Sequence, residues 1–242
     1  MIPTRLPLRP WAAAVCLAAG LALAACGDQG KNEVKGLKEE VQRAFGTKDF
    51  QKQLSLSQKA LKRSREVLGD KAPDTLYFVQ SISEANLAMR NARGAIAALK
   101  NELAMRSAAG QPEARLRTRR VMLIKLAEDS GDKLTAGDQA VAVARGLGMG
   151  PGQEPQPVYQ FATFYPAGPY QQKIQGDVEI GFGLDGTGSV TNARVLRSTP
   201  PGVFDDAALE GFRKWRYTPM LDKNGQPTPA SGFTYTMPFR VN

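Results

Sequence analysis

Only two side chains in this sequence could act as thiols, and both lie near its N-terminus. Cys16 falls inside an apolar run, and Cys26 ends that run, directly before the sequence turns polar. A thiolate can be acylated, oxidised or bound to a metal, but the chain contains no histidine. That absence removes Ser-His and Cys-His catalysis and imidazole metal sites. No later cysteine is left for a structural disulfide or a zinc site, so the role of Cys26 must be sought in the residues that precede it.

The residues before Cys26 have the features of an export signal. Two arginines give a positive start, and residues 11–25 carry no charge, a length that suits a signal-peptide core and is short of the roughly 20 residues of a bilayer span. The run LAAC at 23–26 resembles the bacterial lipobox. This resemblance implies that residues 1–25 are removed and that Cys26 receives two or three acyl chains, which together make a lasting anchor. An ordinary secretory cleavage beside an incidental cysteine is the alternative.

The charge of the chain bounds the class of partner. Removal of residues 1–25 would leave thirty basic against 23 acidic residues, and most of this excess lies in residues 27–157. In an exported protein the acidic partner would be lipid headgroups, cell-wall polymers or an acidic protein face, not nucleic acid; a solvated positive helix face is the alternative.

The residue after Cys26 bears on which membrane holds the anchor. In some bacteria an acidic residue at this position retains lipoproteins in the inner membrane, and here the position is occupied by Gly27. We therefore expect the periplasmic side of the envelope, with the outer membrane favoured.

Residues 33–147 have a helical period that is interrupted at regular intervals. Gly69 with Pro73 and Gly110 with Pro112 repeat at a step of about forty residues, as in helix-turn-helix repeats. The predicted hairpins are 33–68, 74–109 and 113–147. The middle hairpin resembles the longer tetratricopeptide repeat of kinesin-light-chain type, on Leu68-Gly69, Pro73-Asp74-Thr75 and the alanine-rich stretch 95–98. This resemblance implies a concave face for a partner segment; a helical spacer is the alternative.

Beyond a Gly/Pro linker at 148–159 the period changes from helix to strand. Apolar residues alternate with other residues from Val178 to Leu184, which predicts a half-buried strand. A turn follows at Asp185-Gly186-Thr187-Gly188, and residues 189–197 are predicted to form a second strand. Asp205 is the predicted N-cap of a helix. A short strand at 215–217 and a closing strand at 233–241 complete this region.

Several short motifs occur in order along residues 160–242: Tyr165-Pro166, Gly176-Asp177-Val178, Leu184-Asp185-Gly186, Phe204-Asp205, Ala207-Ala208-Leu209, Arg213-Lys214-Trp215-Arg216-Tyr217 with Pro219, Asn224-Gly225 and Pro238-Phe239. Together they resemble the C-terminal domain of TonB-type energy transducers. The resemblance implies an α+β domain with a small antiparallel sheet and one helix. It also implies that the domain binds the N-terminal segment of outer-membrane transporters by adding their strand to its sheet edge.

The residues of these motifs divide into core positions and a binding strand. Large apolar residues of a small domain are buried first, so we expect core or turn roles for Tyr165, Pro166, Gly176, Gly186, Phe204, Asp205, Ala208, Leu209, Trp215 and Pro219. The partner-binding edge strand is expected to comprise Phe233, Thr234, Tyr235, Thr236, Met237, Phe239 and Arg240. Pro238 favours an edge position because proline cannot donate into a central ladder.

The sequence thus predicts a multidomain α and α+β protein. Its parts are a signal peptide (1–25), a lipidated tether (26–32), tetratricopeptide-like repeats (33–147), a linker (148–159) and the TonB-like domain (160–242). We expect a lipid-anchored periplasmic protein that captures an envelope protein, linked to TonB-dependent transport. A scaffold that binds through its helices is the alternative. The transmembrane helix and Pro-rich spacer of full transducers are not recognised here, and no pattern indicates an enzyme, a cofactor, a metal or a small-molecule substrate.

Replacement of Cys26 tests the anchor. We expect Cys26→Ser to leave the protein without acyl chains and to move it from the membrane to the soluble fraction, because no other thiol follows it. Cys16→Ser should remain membrane-bound, since residue 16 leaves with the signal peptide. Fractionation with metabolic labelling by a fatty acid measures both properties. Recovery of Cys26→Ser in membranes at the wild-type yield, with normal signal cleavage, would contradict the predicted anchor.

Overall fold

The computed structural model describes the backbone of residues 11–241 and the side chains of residues 28–241. Within this part the chain divides into two compact units, and the boundary lies between Ala109 and Gly110. The side chain of Cys26 and those of the predicted signal peptide, residues 1–25, lie outside the described residues. The acylation site and the cleavage site therefore remain predictions.

The first unit consists of antiparallel helices joined by short turns. Its helices are α1 (Trp11–Gly46), α2 (Phe50–Leu68), α3 (Pro73–Ala88) and α4 (Ala92–Ala108). Side-chain caps begin two of them: Asp49 accepts a hydrogen bond from the Lys52 amide, and Asn91 accepts one from the Gly94 amide. Pro73 is the first residue of α3 and Asp74 lies in its first turn, where the carboxylate meets the positive end of the helix dipole.

Hydroxyl and amide side chains join α2 to α3 inside the first unit. Ser57 and Gln53 both donate to the Ser81 hydroxyl at 2.9 Å, and Ser64 and Thr75 share a bond of 2.6 Å. All five side chains are buried, and because buried polar groups cost free energy unless they are paired, these bonds fix the register of the two helices. A separate apolar cluster contains Val34, Leu37, Val41, Ala60, Leu61, Phe78 and Val79.

The second unit begins with one more helical hairpin, α5 (Glu113–Asp129) and α6 (Lys133–Gly146). After it come β1 (Pro157–Tyr159), α7 (Ala167–Gln171), β2 (Gly176–Leu184), β3 (Val190–Thr199), α8 (Asp205–Phe212), β4 (Arg216–Tyr217), β5 (Met220–Leu221), β6 (Pro227–Thr228) and β7 (Ala230–Phe239). The main sheet is antiparallel with the order β3-β2-β7, and β1-β4 and β5-β6 form two small ladders. The predicted fold class, helical hairpins followed by a small α+β domain, is confirmed; the tetratricopeptide character of the hairpins remains a prediction.

Aromatic rings fill the space between the main sheet and α8. Phe212 stacks on Tyr235 with ring centroids 5.7 Å apart and meets Phe182 edge-on at 4.8 Å. At the other end of the sheet, Phe204 stacks on Phe239 at 4.3 Å. Such pairs contribute about 0.5–1.5 kcal/mol beyond the burial of their area, so β2, β7 and α8 are held together by one ring cluster.

Two local predictions differ from the structure. Asp205 is not the N-cap of α8: Phe204 takes that position without a side-chain cap, and Asp205 is the first helical residue. Its carboxylate is placed to meet the helix dipole rather than to cap an amide. The predicted linker at 148–159 is also shorter, because its last three residues form β1 and pair with β4, and Gln156 exchanges hydrogen bonds with Thr218.

None of the helices that the structure describes combines the length and the apolar character of a membrane span.

Two glycines of the predicted motifs differ in the space around them. A Cβ on Gly176 would lie 2.2 Å from the Thr199 carbonyl oxygen and 2.7 Å from the Phe204 ring, whereas a Cβ on Gly186 would meet nothing closer than 3.6 Å. We expect Gly176→Ala to lower the free energy of unfolding by about 1–3 kcal/mol, as overpacking does. Urea unfolding followed by circular dichroism measures it.

Gly186→Ala is the matched control, and its effect should stay within about 0.5 kcal/mol. Equal stability of the two variants would show that the approach of β2 to Phe204 is not tight.

Candidate partner-binding edge

Strand β7 forms one edge of the main sheet. It pairs with β2 along its whole length, from Ala230 opposite Leu184 to Phe239 opposite Gly176. Among the described residues no strand pairs with its other side. The predicted binding strand therefore lies at a sheet edge, where unpaired backbone groups can accept another extended chain.

Pro238 fixes which backbone groups of β7 face outward. It lies opposite Asp177, and since proline has no N–H it fits a pair whose nitrogen and oxygen point away from β2. Backbone direction repeats every second residue, so Thr236 and Thr234 share this orientation. The outer edge then offers the N–H groups of both threonines and the C=O groups of residues 234, 236 and 238.

The side chains of β7 divide into two faces. Phe233, Tyr235, Met237 and Phe239 pack against the aromatic core, and Thr234, Thr236 and Pro238 are exposed. The structure thus leaves the inward side chains of the predicted binding strand to the core. What a partner can reach on this strand is its backbone and its outward residues.

Arg240 lies just after β7 and is held by β2. Its guanidinium donates to the Gly176 carbonyl oxygen at 2.5 Å and forms an ion pair of 2.7 Å with Asp177. The side chain therefore turns back over the ladder instead of toward the open edge. Both partners are about half exposed, so this pair contributes little to stability.

A cleft of about 460 Å³ opens beside the start of β7. Its walls include Phe182, Tyr217, Phe233 and Tyr235, together with Glu154 and Pro155. Burial, with a smaller contribution from Tyr235, raises the pKa of Tyr217 above its usual range, so this phenol is neutral. The cleft offers aromatic surface next to the exposed backbone of the strand.

The other motif residues stabilise the domain through core packing and hydrogen bonds, or lie in turns. Tyr165 donates its hydroxyl to the Ile174 carbonyl oxygen and packs edge-on against Phe204 and Phe239. The Trp215 indole donates to the Phe161 carbonyl oxygen at 3.0 Å. Ala208 is buried and Leu209 packs on the same core. The remaining positions are Pro166 before α7, Gly186 in the turn after β2, and Pro219 buried after β4.

Arg216 is a buried cation within the motif that also contains Trp215. Only 1% of it is exposed, and one terminal nitrogen donates to the Thr187 carbonyl oxygen at 2.7 Å and to the Thr187 hydroxyl at 3.0 Å. The other terminal nitrogen forms an ion pair with Glu128 of α5, whose side chain is 26% exposed. Burial lowers the pKa of Arg216 to about 10, so the guanidinium remains charged at neutral pH.

This ion pair belongs to a wider contact between the hairpin α5–α6 and the sheet domain. Val158 of β1 is buried in one cluster with Ile124 and other residues of the hairpin. Gly137 approaches Thr187 so closely that a Cβ there would lie 2.7 Å from the threonine Cβ. The third hairpin therefore packs with the C-terminal domain in one unit, although the sequence assigned it to the repeats.

The pairing of Arg216 with Glu128 was missed from the sequence. In the sequence Arg216 was recognised only as a member of a motif, and no role was predicted for Glu128. The signal that could have found it is the position of an arginine between Trp215 and Tyr217, in a strand whose neighbours are both buried. No group of three or more acidic or cysteine residues within the described part of the chain could hold a metal ion.

Known proteins match this chain in its last third. Residues 162–241 match the family model described as Gram-negative bacterial TonB protein C-terminal. These residues form a TonB C-terminal domain. Protein TonB of Escherichia coli strain K12 is 30% identical over 78 residues, which cover 32% of this chain and 30% of that protein. Protein TonB of Yersinia enterocolitica is 33% identical over 60 residues, 25% of this chain and 24% of that protein.

The chain spans less than a third of the length of either of these TonB proteins. Among solved structures, the solution structure of the Pseudomonas aeruginosa TonB C-terminal domain is 23% identical, with a TM-score of 0.33. The matched region covers 37% of this chain and 89% of that structure. The residues matched by the family model, 162–241, lie in the sheet domain, and the hairpin that packs on this domain precedes them.

The buried ion pair predicts how the hairpin is held to the TonB C-terminal domain. We expect Glu128→Leu, which leaves the Arg216 guanidinium buried without its carboxylate, to destabilise this unit by about 3–5 kcal/mol. Glu128→Leu combined with Arg216→Met should cost much less than the sum of the two single changes. Trp215, the only tryptophan after residue 11, reports the unfolding of this unit by fluorescence in urea.

The exposed pair of the same unit gives the control. Asp177→Leu removes the carboxylate that pairs with Arg240, and it should cost less than about 1 kcal/mol because the pair is solvated. Additive effects of the two changes at 128 and 216 would show that these side chains do not act as a pair.

Proposed function

We propose that this protein is a lipid-anchored protein of the periplasmic side of the envelope whose TonB C-terminal domain captures an extended segment of a partner. The partner segment adds as a strand to the outer edge of β7. The observation that carries the proposal is the register of β7, which turns the amides of Thr234 and Thr236 away from β2. Outer-membrane transporters of the TonB-dependent kind are the proposed partners, and the role is binding, not catalysis.

The exposed edge suits a transient contact. Two N–H and three C=O groups face outward, and each backbone hydrogen bond contributes only about 0.5–1.5 kcal/mol net. Association itself costs at least about 4 kcal/mol in lost rigid-body freedom. A strand held by the backbone alone would therefore bind weakly, so side-chain contacts must supply the remaining affinity.

The aromatic cleft is the place for such side-chain contacts. A strand paired with β7 directs every second side chain toward the face on which α8 lies, and near Phe233 that face opens into the cleft. Apolar or aromatic partner side chains fit walls formed by Phe182, Tyr217 and Tyr235. Glu154 also lines the cleft and favours a basic residue beside them.

A proline in the edge strand tests strand addition. We expect Thr236→Pro to remain folded, as Pro238 does in the wild type, because the lost N–H does not donate to β2. Binding of synthetic peptides that copy the N-terminal segments of outer-membrane transporters should weaken at least about tenfold, since a bond is lost and the ring obstructs the edge. Isothermal titration with the mature chain measures the affinity, and circular dichroism checks the fold.

Thr236→Val is the control, because it keeps the amide and should bind as the wild type does. In addition, the amides of Thr234 and Thr236 should exchange with solvent quickly in the free protein and become protected in the complex. A folded Thr236→Pro variant that binds as tightly as the wild type would contradict docking at β7. If no transporter segment binds, the partner class is wrong, and the helical repeats become the binding element.

A further inference from the structure

The outer face of α2 carries a row of lysines. Lys52, Lys59 and Lys62 are exposed, and their spacing of seven and three residues places them on one side of a helix. The opposite side is buried and consists of Gln53, Ser57, Ala60, Leu61 and Ser64. At a rise of 1.5 Å per residue the row is about 15 Å long.

These lysines have no acidic partner within residues 28–241, whereas the arginines of the same helix do. Arg63 forms ion pairs with Glu33 and Glu66, and Arg65 forms one with Asp70. The helix has a single acidic residue, Glu66, against five basic ones. The three lysines therefore present positive charge that the fold does not neutralise.

The binding that this face can provide is electrostatic. The buried side of α2 packs on α1 and α3, so the helix cannot insert an apolar face into a bilayer as free amphipathic helices do. Lysine ammonium groups that remain in water are still attracted to a surface of fixed negative charge. This attraction is worth about 1 kcal/mol for each residue near the surface. Such attraction weakens with salt.

The face lies near the proposed anchor. A Cβ on Gly30 would meet Val67 at 3.0 Å, and Glu33 of α1 pairs with Arg63. The end of α2 that holds Lys59 and Lys62 therefore lies beside residues 30–33 of α1. Gly30 follows Cys26 by four residues, which is about 6 Å along a helix. An acylated Cys26 would thus hold these lysines close to lipid headgroups.

We propose that Lys52, Lys59 and Lys62 form a docking face for anionic lipid headgroups, which orients the helical unit on the membrane that holds the anchor. This inference rests on the proposed export and anchoring of the chain. It differs from them in that the lysine face should bind lipid even when no acyl chain is present.

Vesicle binding by the unacylated protein tests the proposal. The chain from residue 26 onward, carrying Cys26→Ser, is mixed with vesicles of phosphatidylcholine alone or with roughly one-third phosphatidylglycerol, and the bound fraction is measured by sedimentation. We expect binding to the anionic vesicles only, lost at about 1 M salt, where the screening length is about 3 Å. Changing all three lysines to glutamine should weaken binding by about fivefold for each lysine.

A second triple variant changes the same amount of charge elsewhere. Lys133, Lys173 and Lys223 are exposed lysines of the other unit, and changing them to glutamine should leave vesicle binding nearly unaltered. Equal losses in the two triple variants would show attraction by net charge alone and would overturn the lysine face. Absence of binding to anionic vesicles would also overturn it, and because the protein tested has no acyl chain, either result leaves the anchor at Cys26 to its own test.

Discussion

Ring packing between the main sheet and α8 is the interaction on which the C-terminal half depends. Phe212 on α8 contacts both Phe182 on β2 and Tyr235 on β7, and all three belong to a single cluster. A domain with two short helices, α7 and α8, buries little area elsewhere, so its inward side chains pack in this layer. This packing determines what a partner can contact. The inward side chains of β7 lie in the core, and its outer backbone edge, unpaired within the described part of the chain, remains accessible.

The buried Arg216 imposes a second constraint on the same domain. Its desolvation is unfavourable unless acceptors compensate it. Thr187 supplies two acceptors to one terminal nitrogen and Glu128 of the preceding hairpin pairs with the other, while Nε has no hydrogen-bond partner among the described residues. A small sheet domain has no acid of its own at this position. The hairpin α5–α6 therefore completes the electrostatics of a site that lies inside the residues with TonB similarity.

Much of this architecture could be predicted from local sequence. Pro73 and Asp74 marked a helix start, and the alternation that ends at Leu184 marked β2, because caps and periodicity act over a few residues. The pairing of Arg216 with Glu128 could not be predicted, since nothing local couples two residues so distant in sequence. The N-cap prediction for Asp205 was wrong because it rested on residue type alone. The helix begins at Asp205 itself, directly after the buried Phe204, which has no side chain that could cap it.

The antiparallel ladder of β2 and β7 has a mechanical consequence. Its register runs from one end of β7 to the other, and a partner strand added to the outer edge would run along the same axis. A pull along that axis loads all the backbone bonds of the ladder together, in shear, whereas a pull across it would open them one at a time. Weak bonds that share a load rupture together and resist far more force than the same bonds peeled in turn. The geometry of the edge thus allows a contact of modest affinity at rest to hold under tension along the strand.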